Sequence, residues 1–387
     1  MKALFVHDHY YYRDGHHTLS YGQYHHTVWD IYLSHFDVMT VIGRDGGYAD
    51  ANENDVNTAS RDLVKFKLFP NTNSIKGVLS GRKAIRAHID ELVAKHDVMI
   101  LRGISELGLM VFKAAKAQGK YVAFEIVSCA FDELWFHGAI KAKIYSPLRF
   151  FKQRQLAQRA NAVIYVSQEF LQRRYPTRAP LSARASDVYI PDAAFQQKTK
   201  APQQPITIGM IGTLNNRLKG AHVAIEAADF LKGQGVGGFT LHILGPGDAE
   251  PFYDLIREKG LQDIVFLDGT RESGEAVWQW LRGLDLYIQP SFQEGVPRAT
   301  IEAMAQGLPV IGSNAGGLPE LLEPSCIVKR GNAPDLACAI KKMMNNLQGM
   351  KTEGERNFLE AQKYHDETLS RIRHDFWSNV RHTASQT

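Results

Sequence analysis

The sequence predicts an α/β protein made of two Rossmann-like, doubly wound domains in tandem, and three observations lead there. Short β-branched runs alternate with helical stretches, which is the pattern of a parallel sheet with helices on its faces. The chain has 387 residues, the length of about two domains. The alternation is interrupted once, at the polar, Pro/Gln-rich stretch Ala194–Pro205, and then starts afresh. That linker sets the expected division into residues 1–195, residues 196–364 and a tail of residues 365–387.

In the first part, strands are expected at Ala3–His7, Val38–Ile42, Val64–Leu68, Val98–Leu101, Tyr121–Val127, Ala162–Val166 and Val188–Ile190. Helices are expected at Tyr24–Ser34, Gly81–Lys95, Leu107–Gln118, Leu148–Ala160 and Gln168–Tyr175. The stretch Arg44–Arg61, rich in Asp, Asn and Gly, reads as a loop. In the second part, strands are expected at Ile206–Ile211, Leu241–Leu244, Ile264–Leu267, Leu284–Ile288, Pro309–Ile311 and Cys326–Val328. Helices are expected at Ala221–Lys232, Pro251–Lys259, Gly274–Leu281 and Pro334–Asn346. In the tail, Leu369, Ile372 and Phe376 recur at three- and four-residue spacing, so His365–Val380 reads as an amphipathic helix with one buried face.

Bulk composition narrows the class. Apolar content of 44% and charge of 22% are globular values. No apolar run reaches the roughly 18 residues that a membrane span needs. The first residues, KALFVHD, read as a strand rather than the core of a signal peptide. Three cysteines, Cys129, Cys326 and Cys338, lack metal-ligand spacing and suggest a reduced compartment. A cytoplasmic location is the expectation, and a net charge of only +4 suggests no nucleic-acid partner. The charge is uneven: 25 Lys and Arg face 19 Asp and Glu up to residue 195, against 20 and 22 beyond it.

The sharpest local imbalance lies between Glu133 and Glu169, where no acid occurs. Within residues 138–160, Lys141, Lys143, Arg149, Lys152, Arg154 and Arg159 interleave with Ile140, Ile144, Tyr145, Leu148, Phe150 and Phe151. Such a segment can lie on the inner, anionic face of a membrane, hold a phosphorylated acceptor, or form the solvated face of a core helix.

One stretch carries chemistry: Tyr287–Leu321, YIQPSFQEGVPRATIEAMAQGLPVIGSNAGGLPEL. An apolar run closes at Gln289-Pro290-Ser291, Glu294 follows in a loop, and a helix should begin near Pro297 or Arg298 with Glu302 about one turn in. A strand, a glycine turn and a helix N-terminus together hold an anion, because free N–H groups and the helix dipole point at it. Carboxylates on either side accept from hydroxyl groups. A diphosphate between two sugars, that is a nucleotide-sugar, fits this description.

Glu294, Gly295, Pro297, Glu302, Ala303, Met304, Ala305, Gly307 and Pro309, followed by Gly316, Gly317, Pro319 and Glu320, resemble the donor-site signature of retaining glycosyltransferases of family 4. The resemblance implies the GT-B fold, with two domains facing across a cleft and a C-terminal helix crossing back to the first. It implies transfer of a hexose from a UDP- or GDP-linked donor to a saccharide or lipid-linked acceptor, as in cell-surface polysaccharide or glycolipid synthesis. Glu294 would then bond the donor sugar's hydroxyls and Glu302 the ribose. Lys219, with backbone N–H groups near Gly295, Val296, Pro297 and Arg298, would hold the diphosphate.

Thr213 stands where the family usually has Arg, and Arg217 is a nearby substitute. Gly245-Pro246-Gly247 resembles the family's glycine-rich turn, and Phe266–Glu272 lies where it contacts the nucleotide base. No D-x-D motif occurs, which agrees with a metal-independent reaction requiring no cofactor. In the first domain, Gly15 and Gly22 match the family's loop beside the reacting sugar, and either His137 or Asp132 corresponds to its sugar-contacting histidine; spacing does not decide between them. Arg102 and Ser105 are placed to hold an acceptor phosphate. The seven histidines within residues 1–35 carry no pattern that fixes a zinc geometry. A nucleotide-sugar 2-epimerase and a non-catalytic sugar-nucleotide-binding protein are the alternatives.

Overall fold

The computed structural model describes residues 1–21, 24–49, 56–70, 82–188, 190–198 and 202–386. It contains two parallel sheets with helices on both faces. The first is built from β1 (Lys2–Arg13), β2 (Thr18–Tyr21), β3 (Val38–Tyr48), β4 (Val56–Thr58), β5 (Val64–Phe69), β6 (Val98–Arg102), β7 (Tyr121–Ile126), β8 (Ala162–Tyr165) and β9 (Leu181–Arg184). Its parallel part runs β5-β3-β1-β6-β7-β8-β9, and β2 and β4 add an antiparallel extension to the far end of β1. Between the strands lie α1 (Asp30–Leu33), α2 (Arg82–Ala94), α3 (Glu106–Ala117), α4 (Ala130–Phe136), α5 (Ile140–Arg159) and α6 (Phe170–Arg174).

The second sheet contains β10 (Ile206–Ile211), β11 (Phe239–Leu244), β12 (Val265–Gly269), β13 (Leu286–Gln289), β14 (Val310–Ser313) and β15 (Ile327–Val328), in the order β12-β11-β10-β13-β14-β15. Its helices are α7 (Ala221–Gly233), α8 (Glu250–Glu258), α9 (Glu275–Arg282), α10 (Arg298–Ala305), α11 (Leu318–Leu321), α12 (Ala333–Met344) and α13 (Leu347–Ala361). The order reverses between β10 and β13. Doubly wound sheets open a crevice at such a point, at the carboxyl ends of the two strands.

The last helix, α14 (Asp366–Ala384), lies on the first sheet's side. Trp377, fully buried, packs edge-on against Tyr32 at 5.2 Å and Phe36 at 6.3 Å, and Arg373 donates to the carbonyls of Ala185 and Ser186. Burying a tryptophan in this way is worth about 3–5 kcal/mol against alanine. One apolar core therefore joins the first sheet, α14 and the inner face of α10.

Several elements depart from the expectations. Arg44–Arg61 is not a continuous loop: β3 runs on to Tyr48 and β4 occupies Val56–Thr58, because β3 keeps pairing with the long β1 through Tyr10↔Arg44 and Tyr11↔Asp45. Residues 50–55 lie outside the described residues. The helix expected at Tyr24–Ser34 is only a short 3₁₀ turn, His26–Trp29, leading into α1. Helix α5 begins eight residues earlier than expected and carries Pro147 as its eighth residue, where the Lys143 carbonyl loses its helical N–H partner and accepts instead from the Ser146 hydroxyl at 2.8 Å. Helix α13, and strands β2, β4 and β9, were not among the expected elements.

Candidate active site

Glu294 sits at the reversal point. Strand β13 is buried throughout, and after Pro290 the chain turns back through Ser291 to place Glu294 beneath the crevice, 5% exposed. Lys219 reaches the same point from the loop after β10 and donates to Glu294 Oε1 at 2.8 Å and Oε2 at 2.9 Å. Ser291 donates to Oε1 at 2.7 Å and Gln289 Nε2 at 3.3 Å. The row continues inward: the Tyr287 hydroxyl donates to Gln289 at 2.6 Å and accepts from the Ile211 N–H at 3.2 Å. The carboxylate is thus fixed by three side chains: Gln289 at the end of β13, Ser291 in the loop after it, and Lys219 on the 3₁₀ turn after β10.

Two glycines make this approach possible. Gly220 has φ +79°, and a methyl group there would fall 2.1 Å from the Pro290 carbonyl oxygen. Gly316 has φ +55°, and a methyl group there would fall 1.9 Å from the Glu294 carbonyl oxygen. Only glycine fits either place. The G-G of the signature is therefore a packing requirement beneath Glu294.

Helix α10 starts after Pro297, which serves as its N-cap and supplies no side-chain cap. The first-turn N–H groups are left for a ligand or water. Glu302 lies on the second turn, 9% exposed, and burial raises its carboxyl above the ordinary value, with Arg298 pulling in the opposite direction. Arg298 is exposed, and Val296 and Pro297 are buried. Gly295 faces the first domain so closely that a methyl group would meet the Val127 carbonyl oxygen at 2.5 Å. The crevice is closed over this loop by the ends of β7 and β8.

The remaining second-domain positions lie around the rim. The Thr213 hydroxyl donates to the Pro246 carbonyl and accepts from the Asn215 N–H, both at 3.2 Å, so it braces its own turn. Arg217 is exposed on the 3₁₀ turn Arg217–Lys219.

The first-domain positions fare differently. Asp132 is buried and its two oxygens are divided: Arg174 of its own domain lies 3.2 Å from one, Arg330 of the second domain 3.5 Å from the other. Arg330 also donates to the Phe292 and Asn314 carbonyls and covers the Phe136 ring at 4.8 Å. His137 is exposed at the C-terminal end of α4. Gly15 lies in the turn between β1 and β2, and Gly22 lies outside the described residues. Arg102 is not available for a phosphate, because Glu125 and Asp187 take its guanidinium at 2.5 and 2.6 Å. Ser105 caps α3 through the Gly108 N–H at 2.9 Å.

Of the N-terminal histidines, His7 and His9 stand around Tyr24, with ring centroids 5.0 and 4.9 Å from it. Burial pushes their pKa values down to about 3 and about 4, so both are neutral. Among the described residues, no group of three or more His, Cys, Asp or Glu comes together to hold a metal ion.

Four contributing residues were missed as site residues in the sequence: Gln289, Ser291, Arg330 and Glu320 in its actual role. Glu320 accepts from the N–H groups of Gln168 at 2.7 Å, Glu169 at 3.0 Å and Phe170, across the crevice. Its partners are some 150 residues distant in the chain, so no local pattern could reveal them.

Two Rossmann-like sheets closing on a crevice, and a helix that returns from the second to the first, define the GT-B fold. The family model described as glycosyl transferases group 1 matches residues 205–346. Protein CapJ of Staphylococcus aureus is 30% identical over 365 residues, 94% of this chain and 90% of that protein. This chain belongs to the glycosyl transferases group 1. The amylovoran biosynthesis glycosyltransferase AmsK of Erwinia amylovora is 37% identical over 153 residues, 37% of each chain. Among solved structures, sucrose-phosphate synthase of Thermosynechococcus elongatus superposes with a TM-score of 0.69 at 16% identity over the whole of both chains. HepE of Anabaena, solved with UDP-glucose, superposes with a TM-score of 0.64 at 20% identity, again over both whole chains.

Proposed function

We propose that the protein is a retaining glycosyltransferase of family 4 that moves a hexose from a UDP- or GDP-linked donor to a saccharide or lipid-linked acceptor. The observation that carries this reading is the Lys219–Glu294 pair at the strand-order reversal, four residues before the uncapped start of α10, the helix that carries Glu302. The relative AmsK, named for amylovoran biosynthesis, supports a place in cell-surface polysaccharide or glycolipid synthesis. HepE, solved with UDP-glucose, supports the nucleotide-sugar donor.

In this reading the diphosphate lies against the first turn of α10, and Lys219 swings from Glu294 toward it. The freed Glu294 accepts from the sugar's hydroxyls, and Glu302 accepts from the ribose. As the glycosidic bond breaks, charge grows on the leaving phosphate, where lysine and N–H groups already point. The acceptor hydroxyl attacks from the same face, and the phosphate oxygen takes its proton, so configuration is retained without an enzymic nucleophile. These donors replace a metal ion. The closed crevice keeps water from competing with the acceptor.

The test is incubation with a panel of nucleotide-sugars, with and without saccharide acceptors and EDTA. Product requiring an acceptor, retaining its anomeric configuration and insensitive to EDTA, supports the reading. Isomerised donor formed without acceptor points to a 2-epimerase. Donor binding without any conversion points to a binding protein.

A further inference from the structure

Helix α5 is 20 residues long, about 30 Å, and its two faces are dissimilar. The inner face buries Ser146, Gln153, Leu156 and Ala157. Arg149 and Lys152 also turn inward: Arg149 donates to the Ile104 carbonyl at 2.6 Å, and Lys152 to Glu106 at 3.2 Å and Tyr145 at 2.9 Å. They dock the helix on α3.

The outer face presents Ile140 (76% exposed), Ile144 (76%), Leu148 (49%) and Phe151 (65%). Their spacing of four, four and three places them in one stripe, with Pro147 exposed among them. Isolated exposed apolar residues need no explanation, but a contiguous stripe of large ones does. Lys143 and Arg154 flank it on one side and Lys141 on the other; all three are exposed and make no ion pair among the described residues. The helix contains no acid, and neither does the sequence from 134 to 168.

We propose that this outer face seats the protein on an anionic lipid bilayer. The stripe sinks to the boundary between headgroups and acyl chains, and Lys141, Lys143 and Arg154 meet the phosphate headgroups. The charge complementarity selects this occupant. A convex apolar stripe bordered by cations along a single helix matches a fluid, negatively charged surface. It offers few of the directional hydrogen-bonding groups that a specific protein interface uses.

The orientation that follows bears on acceptor access. Helix α4 leads directly into α5, and its Phe136 lies 5.8 Å from Phe292, two residues before Glu294. The start of the lipid-facing stripe is therefore beside the mouth of the crevice, where a lipid-linked acceptor would enter. That consequence rests on the transferase reading; the membrane contact itself does not.

The experiment is co-sedimentation of the full chain with vesicles of phosphatidylcholine, with and without phosphatidylglycerol. Binding should require the anionic lipid and weaken as salt is raised, since exposed charges are screened beyond about 10 Å at 0.1 M. I144D/F151D and K141E/K143E/R154E should each lower the bound fraction at least about ten-fold, as loss of either apolar burial or charge predicts. Their thermal unfolding and nucleotide binding should match the wild type, because none of these side chains enters the core or the donor site. Wild-type binding that ignores the anionic lipid, or variants that bind as well as wild type, would overturn the proposal. Vesicle binding that persists in a protein unable to bind any nucleotide would leave the lipid face standing and remove the transferase reading instead.

Discussion

Lys219 Nζ spans both carboxylate oxygens of Glu294, 2.8 and 2.9 Å away, and so ties the loop after β10 to the loop after β13. The lysine is one-third exposed and the glutamate is nearly buried, so the pair is only partly screened. Lys219→Met leaves Glu294 with Ser291 and Gln289 but no cation. The expected cost is about 1–3 kcal/mol, read from denaturant unfolding, because a buried charge loses its partner. Turnover should fall about 10²–10³-fold, the effect of removing one donor to a developing charge. A variant with wild-type turnover would place the diphosphate elsewhere.

Glu302 makes a pH prediction with the opposite sign to the usual carboxylate. Burial raises its pKa above the ordinary 4.5, so the folded state holds the proton more tightly than the unfolded chain. Its contribution to stability is fully present below pH 4.5 and is lost as the pH rises through the folded value. Glu302→Gln should therefore raise the melting temperature at pH 7 and leave it unchanged near pH 4. The same variant should weaken binding of the donor nucleotide. A melting difference independent of pH would show that Glu302 does not titrate in this way.

The second domain was far more legible in the sequence than the first, and the reason is physical. Lys219 and Glu294 follow a strand end within eight residues and Glu302 lies in the second turn of α10, so local spacing carries their positions. The glycines beneath them are visible because only glycine tolerates the contacts of Gly316 and Gly220. In the first domain the important contacts are long-range. Arg102 looked available in the sequence, but Glu125 and Asp187, 23 and 85 residues away, hold it. The β1 extension to Arg13 was hidden because His7–Arg13 is polar and aromatic, and its pairing with β2 and β3 overrides that composition.

Glu320 closes the crevice by a different device. Its carboxylate accepts three backbone N–H groups at the start of α6, joining α11 of the second domain to the first. Glu320→Ala leaves those donors to water and should cost about 1–2 kcal/mol, as loss of a charged cap does. The larger effect should be on geometry: the radius of gyration in solution scattering should rise, and the KM for donor should rise with it. Unchanged scattering would mean that other contacts suffice to hold the domains together.

Asp132 distinguishes a connecting residue from a catalytic one. Both of its oxygens are engaged, by Arg174 at 3.2 Å and by Arg330 at 3.5 Å, and Arg330 also reaches the Phe292 carbonyl beside Glu294. If Asp132 acts by positioning Arg330, then Asp132→Asn and Arg330→Met should not add. The double variant should then be about as impaired as the worse single, with a coupling of about 0.5–3 kcal/mol in unfolding. Transfer should fall through a rise in KM with kcat largely kept, because domain docking is weakened while the donor site stays intact. A fall in kcat of several hundred-fold from Asp132→Asn, with additive stabilities, would instead put the carboxylate in contact with the reacting sugar.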